Sequence, residues 1–494
     1  MRLEELIRPL ILHNVTGKMD VEIQGIQMDS RKVQPGDLFI AIRGFTVDGH
    51  RFVSQAVDQG AAAILVEEEI MVDVPMIRVP DTRRAMAVVA ATFYQHPTQK
   101  LKLIGITGTN GKTTTSQLLH HIFNQMERKT GLIGTIEMKI GDRSFPVKNT
   151  TPEVIDLQKS FDLMLNEGCE YSVIEASSHA LEQGRTRGCQ FHIGVFTNLT
   201  QDHLDYHETM DRYREAKGML FSQLGNQYQD DPSESPVAVL NADDEASTYF
   251  AQMTPAQVVT YGIEQPADVR AENIKISSQG TSLTLNTFKG SIDMELHLVG
   301  KFNVYNVLAA TAVALLEGIS LHDIKECLEK LRGVNGRFES VHVGQPYTVL
   351  VDYAHTPDSL ENVLTTIQQF AQGKILSVVG CGGDRDRSKR PVMAKIAVKY
   401  SDLTVLTSDN PRTEDPKTII SDMIDGLGQN DLDKYVTVID RREAISHAIS
   451  IAKPEDVVLI AGKGHETYQE IHGVRYDFDD REVARHAILS QTDK

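Results

Sequence analysis

The stretch Lys102-Leu-Ile-Gly-Ile-Thr-Gly-Thr-Asn-Gly-Lys-Thr-Thr114 decides the fold. Its first six residues form a short apolar run that reads as a buried strand, and a glycine-rich turn follows at once. A helix is expected from Thr113 to about Met126. Strand, glycine turn, lysine, hydroxyl and helix are together what a nucleotide phosphate site needs. Backbone N–H groups and a helix N-terminus meet the anion, the lysine adds charge, and the hydroxyl serves Mg²⁺. Gly108, Thr109, Asn110, Gly111, Lys112, Thr113 and Thr114 are the ATP-binding candidates here. One position departs from the general G-x-x-x-x-G-K-[ST] pattern: Ile106 stands where glycine is usual, and Gly105 falls one place early.

Outward from the loop, apolar runs at 171–174, 193–197, 237–240 and 258–261 alternate with helical or polar segments. That rhythm predicts a doubly wound, mainly parallel sheet. Residues 269–299 instead alternate polar and apolar around Gly280 and Gly290, as a small antiparallel meander does, and a helix is expected over 303–317. N-terminal to the loop, 37–42 and 61–66 read as strands and 83–94 as a helix ending at His96-Pro97. C-terminal to it, the glycine-rich connector 332–337 precedes a second α/β rhythm, with apolar runs at 348–351, 375–379, 403–406 and 457–460. Each of those runs leads into an unusual polar cluster. Ligands of open α/β sheets bind beyond the carboxyl ends of strands, so the four clusters are expected on one edge. The reading is α/β in three domains: 1–98, a central P-loop domain over 99–333, and a Rossmann-like domain over 334–494.

Composition narrows the function. A length of 494 residues, 41% hydrophobic and 24% charged, suits a globular protein of about three domains. A formal net charge of −18 argues against a nucleic-acid partner. The N-terminus lacks a signal peptide's basic start, and no apolar run approaches the roughly 20 residues that span a bilayer. Cys169, Cys189, Cys327 and Cys381 show no C-x-x-C pairing and read as reduced thiols. A cytoplasmic protein without a membrane partner is expected.

Strand ends supply further chemistry. Glu175 closes the run 171–174 and is placed to hold Mg²⁺, which takes one or two carboxylates beside phosphate oxygens and water. His203 and His207 are four apart, but H-E-x-x-H is absent, so a zinc hydrolase is not expected. Lys217, taken alone, reads as a surface lysine.

The ordered set Thr107–Thr114, Glu175-Ala-Ser-Ser-His179, Asn198-Leu-Thr-Gln-Asp-His-Leu-Asp205, Asn303-Val-Tyr-Asn306, Gly336-Arg-Phe-Glu339 and Asp352-Tyr-Ala-His355 resembles the Mur ligase family of peptidoglycan synthesis. The resemblance spans essentially the whole chain, and the family's loop also lacks the first general glycine. It implies an ATP-dependent ligase using two Mg²⁺ ions, with ATP as co-substrate, acting as a monomer on small molecules. Among the family's branches, the likeness is to the one that adds meso-2,6-diaminopimelate to a UDP-muramoyl-dipeptide.

That likeness implies residue roles. Domain 1–98 would bind the UDP part, through Ser30 and Thr46. Asn149, Thr150, Thr151, Ser177, Gln183 and Arg185 would hold the muramoyl-dipeptide. Lys217 falls where the family carries a carbamylated lysine, so Lys217, His203, Thr113 and Glu175 become the metal set, and Lys112, Lys217 and His203 the catalytic set. Asn303, Arg337 and Asp352 would complete the ATP site. Arg385, Asp409, Asn410, Pro411, Arg412, Gly462 and Glu466 would bind diaminopimelate, with Arg412 gripping the carboxylate that lysine lacks and Glu466 taking an ammonium. Domain closure is required, with hinges near 99 and 333. Two other readings compete: a folylpolyglutamate synthetase, against which the N-terminal domain and the Asp409–Arg412 motif argue, and a P-loop ATPase switch without amide-forming activity.

Overall fold

The computed structural model describes residues 1–492 apart from 45, 46, 142, 148, 227 and 278, so Thr46 lies outside the described residues. Among those residues the chain builds sheets of five, eleven and six strands, one after another, and a small two-stranded ribbon.

The first sheet has the order Asn14–Thr16, Met76–Arg78, Ala63–Val66, Asp37–Ile40, Gly25–Gln27. It is parallel except where Asn14–Thr16 pairs with Met76–Arg78. The alanine-rich segment forms helix Thr82–Phe93, capped by the Asp81 carboxylate, which accepts from the Arg84 amide. His96 takes a left-handed conformation ahead of Pro97 and breaks the chain out of that helix.

In the central sheet, strand Lys102–Thr107 lies between Phe191–Phe196 and Tyr171–Glu175, parallel to both. Thr130–Ile133, Val237–Asn241 and Gln257–Gly262 extend the parallel part. The meander Val269–Ser277, Gly280–Thr287, Gly290–Leu296 forms one edge, continuous with the parallel strands through Gln257–Gly262. The other edge is an antiparallel pair, Met138–Ile140 with Arg143–Phe145. Helices cover both faces. Leu118, Ile122 and Phe123 of helix Lys112–Gln125 pack with Val307 and Leu308 of helix Lys301–Leu316 on one side. Leu157 and Phe161 of Val154–Asn166 and Leu220 and Phe221 of Met210–Ser222 pack on the other. Side chains buried on both faces explain why these strands read as unbroken apolar runs.

The third sheet runs Glu339–Ser340, Thr348–Asp352, Val457–Ala461, Ile375–Cys381, Leu403–Ser408, Tyr435–Thr437. All but the first strand are parallel, so the four polar clusters do share one edge. Beneath that edge, Arg441 and Asp480 form a fully buried ion pair, Nε to Oδ1 2.8 Å. All four cysteines are free thiols. Among the described residues no helix is long and apolar enough to cross a membrane.

Candidate active site

The phosphate loop turns on two glycines with positive φ. A Cβ on Gly108 would stand 1.9 Å from Thr197 Oγ1, and one on Gly111 would stand 2.4 Å from Asn306 Oδ1, so neither position admits a side chain. Ile106, where the general motif has glycine, is a core residue inside the strand. Gly111 caps helix Lys112–Gln125 at the end where its unpaired amides lie. Lys112 folds back so that its Nζ donates to the carbonyls of Gly108 (2.9 Å) and Thr109 (2.8 Å).

Lys217 is buried, and its Nζ donates to the same Gly108 carbonyl at 2.8 Å. The surface-lysine reading therefore fails. Burial, reinforced by the charge of Lys112, holds the Lys217 amine well below the ordinary lysine range.

Glu175 ends its strand 1% exposed and accepts from Thr113 Oγ1 (3.1 Å), from Thr135 Oγ1 (2.8 Å) and from the Thr135 amide (2.9 Å). Thr150 Oγ1 lies 3.1 Å from Thr135 Oγ1, and Thr151 Oγ1 donates to the Glu175 carbonyl and accepts from the Ser177 amide. Arg185 binds the Thr151 carbonyl and Gln183 Oε1, with Glu153 as counter-ion. Thr150, Thr151, Ser177, Gln183 and Arg185 thus form one connected wall beside Glu175, with Asn149 next to them in the chain at the exposed end. Ser30 sits in the N-terminal unit, donating to Gln55 Oε1 at 3.0 Å, and lines neither of the cavities described below.

His203 stands in a left-handed conformation ahead of the short helix Leu204–His207, its ring edge-on to His179 at 4.7 Å. Burial pushes its imidazole down to about 3 against the pull of Asp202. The ring is therefore neutral at neutral pH and has a lone pair to offer a metal. His207 turns the other way, its Nε2 2.9 Å from Ser178 Oγ. Among the described residues no three His, Cys, Asp or Glu side chains form a metal cluster. Mg²⁺ does not need one. It keeps water and phosphate oxygens and takes one or two protein oxygens, and the Thr113 hydroxyl against the Glu175 carboxylate fits that demand.

The third unit closes onto the loop. Arg337 Nη2 donates to Thr113 Oγ1 at 3.0 Å, with its guanidinium 4.6 Å from the Tyr353 ring centre. Asn110 Nδ2 donates to Asp358 Oδ2 at 2.7 Å, and Lys389 Nζ lies 4.0 Å from Asp202. Asp352 accepts from the Phe338 amide, and burial lifts its carboxyl to about 6. One cavity of about 310 Å³ results, with Lys112, Glu175 and His203 on one wall and Arg385, Arg412 and Glu466 on the other. Asp409, Asn410 and Gly462 also line it, while Pro411 is buried behind. A second cavity of about 340 Å³ opens beyond the loop between Asn110, Tyr305, Asn306 and Asp352.

Asn303 lines neither cavity. Its Nδ2 donates to the Val299 carbonyl and its Oδ1 accepts from Asn306 Nδ2, so it braces the helix start while Asn306 meets the loop. The helix turns Asn303 toward the chain that precedes it, and Asn306, three residues on and also buried, is the asparagine that lines the second cavity. Sequence reasoning also passed over Asp358, which reads only as a first-turn acid of helix Pro357–Gln368, and Lys463, which stands between Gly462 and Gly464.

Within the diaminopimelate set, Arg412 has φ 51°, and its Nη1 donates to the Gly383 carbonyl at 2.7 Å. Glu466 accepts from Asn410 Nδ2 (2.8 Å) and from Lys463 Nζ (3.0 Å), and burial raises its carboxyl.

Comparison with known proteins agrees along the whole chain. Residues 22–94 match the Mur ligase family catalytic domain, 106–314 the Mur ligase middle domain, and 336–464 the Mur ligase glutamate ligase domain. A UDP-N-acetylmuramoyl-L-alanyl-D-glutamate–2,6-diaminopimelate ligase of Bacillus cereus is 54% identical, over 99% of both chains. One from Listeria monocytogenes is 51% identical over 99% of both. A solved structure of the same name is 35% identical, with a TM-score of 0.70 over 100% of this chain and 99% of that one. A ligase from Thermotoga maritima solved with ADP shares the fold at a TM-score of 0.64 and 17% identity, covering 94% of this chain and 96% of that one. The chain belongs to the Mur ligase family.

Proposed function

We propose that this enzyme is an ATP-dependent, ADP-forming ligase that joins meso-2,6-diaminopimelate to the D-glutamyl γ-carboxylate of UDP-N-acetylmuramoyl-L-alanyl-D-glutamate, in peptidoglycan precursor synthesis. The observation that carries this reading is the single cavity in which the phosphate loop faces the Asp409–Arg412 motif. The names and identities of the relatives support the same substrates.

A free carboxylate does not acylate an amine, because oxide would have to leave. The γ-carboxylate oxygen therefore attacks the terminal phosphorus of ATP, the bond to ADP breaks, and an acyl phosphate forms. The amine nitrogen adds to its carbonyl carbon, giving a tetrahedral intermediate that expels phosphate and loses a proton. Positioning and charge neutralisation account for most of the catalysis in phosphoryl transfer. Lys112, freed from the two carbonyls it caps, faces the phosphates, and Arg337 reaches them from the third unit. The second cavity takes the nucleoside, with Asn306 and Asp352 on its wall. The wall from Thr150 to Arg185 orients the dipeptide carboxylate beside Glu175. Closure, fixed by Asn110 on Asp358, excludes water from the acyl phosphate.

Two Mg²⁺ sites are assigned to these residues: Thr113 with Glu175, and His203 with Lys217. When bound, such ions would supply further charge neutralisation at the phosphates and the attacking carboxylate. Lys217 serves only after its neutral amine has added to CO₂, forming an N–C bond and releasing a proton, which turns a buried cation into a carboxylate. The low basicity of its site favours that reaction.

The reading is tested by phosphate release with ATP, UDP-muramoyl-dipeptide and a panel of amino acids. Release is expected only with both substrates present, and far faster with diaminopimelate than with lysine. Turnover of folate with glutamate, or release indifferent to the amino acid, would contradict it.

A further inference from the structure

The wall of the cavity that receives the amino acid carries more charge than the substrate contacts require. Asp409 and Glu466 both line it. Behind them, off the cavity wall and 0% exposed, stands Lys463. Its Nζ donates to Glu466 Oε2 and to Asn410 Oδ1, each at 3.0 Å, and lies 3.9 Å from Asp409 Oδ1. A second buried cation nearby, Arg441, is already matched by Asp480 and donates to the Ala461 carbonyl. The trio Asp409, Glu466 and Lys463 therefore carries one net negative charge, in a place where burial makes any mismatch costly.

We infer that Lys463 is a specificity-determining positioning residue: a built-in counter-ion that cancels one of two carboxylates and sets this end of the amino-acid pocket to a charge of −1, matched to one ammonium group. The inference rests on the diaminopimelate reading, whose distal end brings one ammonium and one carboxylate. Arg412 takes the carboxylate and the trio takes the ammonium. Lys463 does not touch the substrate. It acts by fixing the Glu466 carboxylate, whose Oε2 also accepts from Asn410 Nδ2, and by limiting the pocket's appetite for positive charge.

A charge-restoration experiment separates this from a structural role. Glu466→Gln leaves Asp409 against Lys463, a neutral site, and is expected to raise the KM for diaminopimelate about tenfold or more, as losing a charged hydrogen-bond partner does. Adding Lys463→Gln to it returns the site to −1, with a side chain still able to donate to Asn410. The double variant is expected to recover most of the lost KM, with the KM for ATP equal in all forms. Lys463→Met with Glu466→Gln is the second form of the same test, should the first not yield folded protein by thermal melting. A double variant as poor as, or poorer than, Glu466→Gln would overturn the inference, because a merely structural lysine cannot rescue. Wild-type enzyme that releases no phosphate in response to diaminopimelate would overturn the substrate reading, and this inference with it. Additive losses in an enzyme that does use diaminopimelate overturn the inference alone.

Discussion

Replacing Lys217 by alanine is expected to lower kcat by about 10³-fold or more, the scale on which a preorganised charge at the reacting centre acts. Three features of the site require it. Lys217 is buried beside the phosphate loop, it shares the Gly108 carbonyl with Lys112, and burial together with the charge of Lys112 holds its amine well below the ordinary lysine range. The proposed second metal site needs a negative group at this position, which a carbamate on Lys217 would supply and a second fixed cation would not. Alanine removes the group but leaves a space that a small carboxylate can enter, so acetate or formate should restore part of the rate. The KM for diaminopimelate should hold, since Lys217 lies on the opposite side of the cleft from Arg412. A fully active Lys217→Ala enzyme would return Lys217 to a packing role.

Arg412→Ala should have the larger effect on specificity, with kcat/KM for diaminopimelate falling by about 10⁴-fold, as in sites built around one polar group. The left-handed backbone at Arg412, held by its amide on the Glu470 carbonyl and its own carbonyl on the His472 amide, aims the side chain into the cavity. The Gly383 carbonyl anchors Nη1 at 2.7 Å and the Glu470 carboxylate lies 3.9 Å from Nε, so a substrate carboxylate would meet the guanidinium beside these two contacts. Lysine at this position would keep the charge but lose the fork, so Arg412→Lys should recover little. The KM for ATP should not move in either variant. Unchanged diaminopimelate kinetics in Arg412→Ala would take Arg412 out of the pocket.

How far the sequence leads depends on how each element earns its structure. Strands buried on both faces, such as Lys102–Thr107 and Val457–Ala461, announce themselves as apolar runs because nothing polar can stand there. The strand Thr130–Ile133 and the pair Met138–Ile140 and Arg143–Phe145 went unread. Thr130–Ile133 is buried throughout but only four residues long and opens on Thr-Gly, too short to stand out as an apolar run, while the two three-residue strands, partly exposed, owe their form to pairing at the sheet edge rather than to local pattern.

In the site, the phosphate loop was legible from chemistry alone, whereas Lys217 was legible only through the family resemblance. An isolated lysine in a polar helix carries no sign of its burial. Asn306 could have been preferred to Asn303 only by knowing the direction in which helix Lys301–Leu316 meets the loop. Lys463 needed the three-dimensional charge count, since its carboxylate partners come from two different strand ends.

The central claim is that the cleft joins phosphoryl transfer to amide formation through an acyl phosphate. The most direct measurement labels the D-glutamyl γ-carboxylate with oxygen-18 and follows the released phosphate by mass spectrometry during turnover with diaminopimelate. One labelled oxygen should appear in each phosphate, alongside a nucleotide product heavier by one diaminopimelate less one water. Unlabelled phosphate released with that product would show that the carboxylate never carried the phosphoryl group, and would contradict the account.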